Sequence, residues 1–134
     1  MKRIYVETKK RLECVDIRAR VNIAIKELSS KKGKSRGICN IFTPHATAAI
    51  AIIENYDRNI CIDFHAFLEK EIPKGVWLHD RIDGNGDSHI KAAIIGPSET
   101  IPFEQHSLCL GRWQSVVLVE LDGPRKREVV VSVV

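Results

Sequence analysis

Three histidines stand where the chain changes direction, which is where side chains are free to do chemistry. His45 follows Thr43-Pro44, His79 precedes the polar stretch Asp80-Arg81-Ile82-Asp83-Gly84-Asn85-Gly86-Asp87, and His89 follows it. Two glycines beside Asp and Asn mark a backbone that turns sharply, so this loop can bring His79 and His89 to one point. Three neutral imidazoles would hold one divalent ion, zinc by ligand type, and leave a fourth position open for water or substrate. The spacing matches no HExxH-like pattern, and the same residues read equally well as ordinary polar loop histidines. His65, between Phe64 and Phe67, reads as a surface or internally satisfied histidine. His106, in Glu104-Gln105-His106-Ser107, reads as part of a turn.

Other groups can gather with the histidines. Glu54 and Asn55 end an apolar run, where a carboxylate is either a helix cap or a site residue. Trp113 and Gln114 open another apolar run; the indole is either core or a wall for a flat ring, and the amide needs a partner if buried. Glu120 and Asp122 close that run, and Arg125 after Gly123-Pro124 is a solvated turn cation or an anion clamp. Glu54 and Glu120 are the candidate general bases, and Asn85, Trp113, Gln114 and Arg125 the candidate substrate-binding residues.

These side chains must be carried by a single domain spanning residues 1–134. Of 134 residues, 44% are apolar, enough for a core, and 28% are charged. No apolar run approaches the roughly 18 residues of a membrane span, and Met1-Lys2-Arg3-Ile4-Tyr5-Val6-Glu7 turns polar before a signal-peptide core forms. A soluble, cytoplasmic protein with no membrane partner is expected. Twenty-one basic and 17 acidic residues leave a net charge of +4. The basic clusters Lys9-Lys10-Arg11, Lys31-Lys32 with Lys34 and Arg36, and Arg125-Lys126-Arg127 read as solvated turn tips. With no aromatic inside them, a nucleic-acid partner is the weakest expectation. Cys14, Cys39, Cys61 and Cys109 lack paired spacing, sit among apolar residues and read as buried, inert thiols.

Periodicity supplies the elements. Ile4–Thr8 and Leu12–Ile17 read as a hairpin around Lys9-Lys10-Arg11. Val21, Ala24, Ile25 and Leu28 are spaced as one helical face, with Gly33 beyond it. Gly37–Phe42 predicts a strand, and Thr47–Ile53, apolar at every position, a buried one. Asp57 can cap a helix with Ile60, Phe64, Phe67 and Leu68 on its apolar face. Asp87 or Ser88 caps a shorter helix from His89 to Ile95. Glu99–Val134 predicts three or four strands, with Asp122-Gly123-Pro124-Arg125 as the last turn. Strands and helices without a βαβ rhythm define an α+β domain with a mainly antiparallel sheet.

Taken in order, Phe42-Thr43-Pro44-His45-Ala46-Thr47-Ala48-Ala49, Glu54-Asn55, Asp63, His79, Asp83-Gly84-Asn85, His89-Ile90-Lys91-Ala92, Gly96-Pro97-Ser98, Leu110-Gly111-Arg112-Trp113-Gln114 and Glu120-Leu121-Asp122-Gly123-Pro124-Arg125-Lys126-Arg127 resemble the YjbQ-like family, also named the secondary thiamine-phosphate synthase family. The resemblance implies a compact α+β homotrimer with a metal-bearing cleft at the motif histidines, here His45, His79 and His89. It also implies an activity that joins a pyrimidine diphosphate to a thiazole phosphate, so the expected partner is a small phosphorylated metabolite. In that reading the ion and Arg125 neutralise the leaving diphosphate while Trp113 packs against a flat ring. Two alternatives use the same residues: a metal-dependent hydrolase with Glu54 or Glu120 as base, and a non-enzymatic trimeric anion-binding module. Three positions depart from the family pattern: His106 stands where glycine is usual, Arg112 where threonine precedes Trp-Gln, and Ala46 where threonine follows the first motif histidine.

Overall fold

The computed structural model describes all 134 residues as two antiparallel sheets and three helices. The strands are β1 (Lys2–Glu7), β2 (Glu13–Asp16), β3 (Arg36–Phe42), β4 (Ala48–Glu54), β5 (Ser98–Glu104), β6 (Ser107–Leu108), β7 (Gln114–Glu120) and β8 (Lys126–Val133). The helices are α1 (Arg18–Ser30), α2 (Arg58–Glu71) and α3 (Gly86–Ile95), with a short 3-10 turn at Leu78–Arg81. One sheet has the order β1-β8-β3-β5-β6 and the other β2-β7-β4, and every pairing is antiparallel.

The alternation along the strands explains the stacking. In β7, Val116 and Leu118 enter the larger core with Val129, Val131 and Val133 of β8, whereas Val117 and Val119 point to the opposite side. β4 does the same, with Ala48 and Ile50 on one side and Ala49 on the other. The three-stranded sheet is therefore a middle layer, which is why β4 and β7 carry continuous apolar runs, Ala48–Ile53 and Val116–Val119. One face packs on the five-stranded sheet and α1 through Ile17, Val21, Ala24 and Ile25. The other is covered by α2 and α3 through Leu68 and Ala92. No helix is long and apolar enough to cross a membrane.

The expected α+β architecture holds, with three local corrections. β1 and β2 form no hairpin: β1 pairs with β8 and β2 with β7, so the Lys9-Lys10-Arg11 turn passes the chain from one sheet to the other. Asp57 caps α2 as expected, its Oδ1 accepting from Asn59 N at 2.9 Å. The buried face of α2 is rotated, however, so that Phe67 is exposed and His65 buried. Neither Asp87 nor Ser88 caps α3. The helix starts at Gly86, and both side chains are fully buried inside it.

Candidate active site at one end of the sheets

The site is assembled around the β7–β8 connection. Glu120, the last residue of β7, is fully buried, and so is Arg127 of β8. The Arg127 guanidinium donates from Nε to Glu120 Oε2 at 2.8 Å, from Nη2 to Oε1, and from Nη2 to the Thr47 carbonyl and hydroxyl at 3.1 and 3.0 Å. Glu120 also accepts from the Thr8 hydroxyl at 2.8 Å and from the Leu121 and Asp122 amides at 2.9 Å. Burial alone would raise the Glu120 pKa; the Arg127 hydrogen bonds, then the Asp122 amide and Thr8 hydroxyl, outweigh it and hold the carboxyl below its ordinary value. This bears on the expectation for Glu120: a carboxylate with every acceptor position filled is an anchor, not a general base. It also corrects the reading of Arg125-Lys126-Arg127 as a solvated tip.

On this base the turn rises to the surface. Arg125 N donates to Thr8 Oγ1 at 2.7 Å, and the guanidinium holds Asp122 through Nε to the carbonyl (2.7 Å) and Nη2 to Oδ2 (2.6 Å). Asp122 Oδ2 also accepts from Asn85 Nδ2 at 3.0 Å, which docks the loop before α3 onto the turn. Gly123 leaves no room for a side chain, since a Cβ there would stand 2.8 Å from Glu120 Cγ. About half of the Arg125 side chain is open to solvent, and its inner edge is anchored on Asp122.

His79 and His89 meet beside Asn85. Their ring centroids are 4.7 Å apart, with the planes at 74°. Asp80 makes this meeting possible. Its Oδ2 accepts from Trp77 N at 2.9 Å and its Oδ1 from Gly86 N at 2.8 Å, tying the 3-10 turn that carries His79 to the first residue of α3. The Trp77 amide, then that of Gly86, hold the Asp80 pKa below its ordinary value. A Cβ at Gly86 would lie 2.8 Å from Trp77 Cβ, so only glycine permits the approach. Two polar atoms of these segments, His79 Nε2 and Asn85 Oδ1, are buried with no hydrogen-bond partner. The nearest carboxylate to His79 Nε2 is Asp83 Oδ2, at 3.8 Å.

His45 is placed otherwise. Its Nε2 accepts from Glu128 N at 2.8 Å, which puts the imidazole proton on Nδ1 and uses the lone pair a metal would need. Burial, then the Arg127 charge, hold its pKa below the ordinary value, consistent with a neutral acceptor ring. Within the chain no group of three or more His, Cys, Asp or Glu is arranged to hold a metal ion. The donor set within the chain therefore does not fit the expected three-histidine ion.

The remaining candidates lie elsewhere. Glu54 pairs in register with Gln114 at the far end of β4 and β7, whereas Ala48 pairs with Glu120 at the near end. Six strand steps separate the ends, about 20 Å. Glu54, Trp113 and Gln114 are thus outside the histidine cleft of their own chain. Gln114 Oε1 accepts from Gly111 N at 2.9 Å, and Trp113 is half exposed against Tyr56. Residues that reasoning from sequence missed are Thr8, Thr47, Asp80 and Arg127. Only Asp80, five residues before Asn85-Gly86 in the polar loop, had a local signal.

The chain is thus a two-sheet α+β domain with a histidine pair and an anchored arginine at one sheet end. The family model described as "UPF0047 protein YjbQ-like" matches residues 2–134, and the chain belongs to that family. It is 38% identical over 128 residues to a UPF0047 protein of Archaeoglobus fulgidus, covering 95% of each chain, and 33% identical to the UPF0047 protein YugU of Bacillus subtilis, covering 95% of this chain and 93% of that one. The crystal structure of a YjbQ/UPF0047-family protein of Clostridium acetobutylicum superposes with a TM-score of 0.91 at 36% identity, with both chains fully covered.

Proposed function

We propose that the cleft binds a small phosphorylated metabolite and acts on it by acid–base chemistry at His79 and His89. The observation that supports this is two buried, unpartnered polar atoms, His79 Nε2 and Asn85 Oδ1, in the segments that bring the two imidazoles together. Buried polar atoms are rarely left unpaired, and a bound polar ligand would satisfy both. Arg125 supplies positive charge at the mouth, and its Nη1 is free of protein partners while Nε and Nη2 are engaged. The family resemblance supplies the reaction: the thiazole nitrogen attacks the pyrimidine methylene carbon, the carbon–oxygen bond to diphosphate breaks, and the diphosphate departs. In this chain Arg125 would balance the charge growing on the leaving group, and one imidazole would donate the proton it takes up.

The same proposal places the protein in the cytoplasm as a homotrimer. The outer face of the five-stranded sheet, carrying Tyr5, Ile38 and Phe42 exposed, is available for contact between copies. The test is product analysis with the pyrimidine diphosphate and thiazole phosphate as substrates. Joined product, lost in His79→Ala and His89→Ala, supports the transferase. Release of phosphate from simple phosphoesters supports the hydrolase, and binding without turnover the anion-binding module. Variants that match the parent protein in binding and turnover would overturn the assignment to this cleft.

A further inference from the structure

At the opposite end of β4 and β7 the chain builds a second surface that the histidine cleft does not use. Trp113 and Tyr56 come from separate connections and meet with ring centroids 5.2 Å apart and planes at 68°. They remain 49% and 80% exposed. Two exposed rings set at this angle form a corner against which a third flat ring can lie. The corner floors a shallow groove of about 470 Å³, with Arg18 and Arg112 on its sides.

The groove's charge is positive and available. The Arg112 guanidinium carbon sits 4.8 Å from the Trp113 ring centroid. Neither Arg112 nor Arg18 joins an ion pair with a carboxylate. The Arg18 guanidinium makes one long contact, 3.5 Å to the Gln114 carbonyl. Asp16 is the groove's carboxylate, and its oxygens are already taken. Oδ1 accepts from Arg18 N at 2.8 Å, and Oδ2 from Asn55 Nδ2 at 2.5 Å and Ser115 Oγ at 2.8 Å. An anion entering the groove therefore meets two guanidinium groups with no carboxylate partner and a carboxylate already engaged by donors.

We infer that this groove is a second ligand site for a planar heteroaromatic base carrying a phosphate. The base stacks in the Trp113–Tyr56 corner and the phosphate is held by Arg112 and Arg18. Stacking with flanking arginines tolerates any base, because every base has a π-face. The same chemistry is offered by a free mononucleotide and by a nucleotide within a single strand. Sequence alone hides the site: its two aromatics and two arginines come from three separate segments, and only the β2–β7–β4 pairing gathers them.

The experiment titrates the full chain with UMP, AMP and a short oligothymidylate at low salt. Trp113 fluorescence is read in a Trp77→Phe background, where it is the sole tryptophan, and calorimetry is used for the other variants. Saturable binding of either probe is expected, weakened about tenfold or more in Trp113→Ala and in Arg112→Ala. It should be unchanged in His79→Ala, which separates this site from the histidine cleft. Mononucleotide binding equal to that of the oligomer assigns a free metabolite as the source. Binding confined to the oligomer, weakening with salt, assigns a strand. Binding of neither probe, or binding that survives both groove substitutions in folded protein, overturns the site.

Discussion

Arg127 and Glu120 are seven residues apart in sequence and on different sheets, and their fully buried ion pair is the joint between those sheets. Thr8 after β1 and Thr47 before β4 close the same knot. A buried charge pair costs desolvation energy, which dense hydrogen bonding offsets, but removing one partner leaves the other charge uncompensated. Arg127→Ala should therefore lower the unfolding free energy by about 3–5 kcal/mol in urea titrations. A loss below about 1 kcal/mol would show that water reaches the carboxylate.

The pair also makes an acid-sensitivity prediction. Glu120 is held below its ordinary pKa of 4.5 and Asp87 below 3.8, the latter by Lys91 and Arg11 against an opposing burial effect. For a carboxyl whose folded pKa is depressed, the stabilisation is fully present above the unfolded value and is lost as pH falls through the folded one. Stability should be flat from neutrality to about pH 5 and then decline steeply. In Glu120→Gln the decline should be shallower, measured as the urea midpoint against pH, since one of the two linked protons no longer contributes.

The histidines should separate by role. His45 accepts a backbone amide, so His45→Ala leaves Glu128 N–H without its partner and should cost about 1–3 kcal/mol of stability. His79 Nε2 has no such duty, and His79→Ala should stay within about 0.5 kcal/mol of the parent protein while abolishing ligand binding in the cleft. Elemental analysis of untagged protein completes the contrast. Stoichiometric zinc lost in all three alanine variants would show that His45 Nε2 releases the Glu128 amide to bind an ion.

These contrasts show which parts of the molecule local pattern carries. The all-apolar runs of β4 and β7, the Asp57 cap and the face of α1 depend on neighbours in sequence, and all were legible. So was the convergence of His79 and His89, because an Asp/Gly/Asn loop joins them. Arg127 reads as one more cation in a basic turn, because its partner is specified by how two sheets meet. Lys91 is hidden for the same reason: it is 1% exposed and donates to Asp87 Oδ2 at 2.8 Å, under α2. The failed β1–β2 hairpin has the same origin. Each strand prefers an apolar partner far along the chain, and alternation cannot say which sheet a strand will join.

Thiol chemistry gives a direct check on the layering. Burial pushes the Cys39 pKa up to about 12, and burial with neighbouring Cys61 pushes Cys14 up as well, whereas Cys109 is exposed. Because the thiolate is the nucleophile, Cys109 should react with an aromatic disulfide reagent at once in native protein. Cys39 and Cys14 should react only after unfolding. Early modification of Cys39 would mean that the core between the two sheets opens far more readily than its packing implies.

His106 offers the last test, at a position where the family pattern has glycine. The β5–β6 turn places Gln105 at φ +48° and His106 at φ +64°, the left-handed region in which a side chain is strained. The glycine of the family pattern thus has a conformational reason. The histidine is tolerated because its Nδ1 lies 2.7 Å from the buried Ser29 hydroxyl, which ties the turn to the end of α1. His106→Gly removes the strain and the hydrogen bond together, each worth about 1 kcal/mol, and should leave stability within about 1 kcal/mol of the parent. His106→Val loses the bond, keeps the backbone angle and adds a β-branch, so it should be the more destabilised of the two by about 1–3 kcal/mol in urea titrations. Equal stability of the two variants would mean that the turn relaxes out of the left-handed conformation once Ser29 lets go.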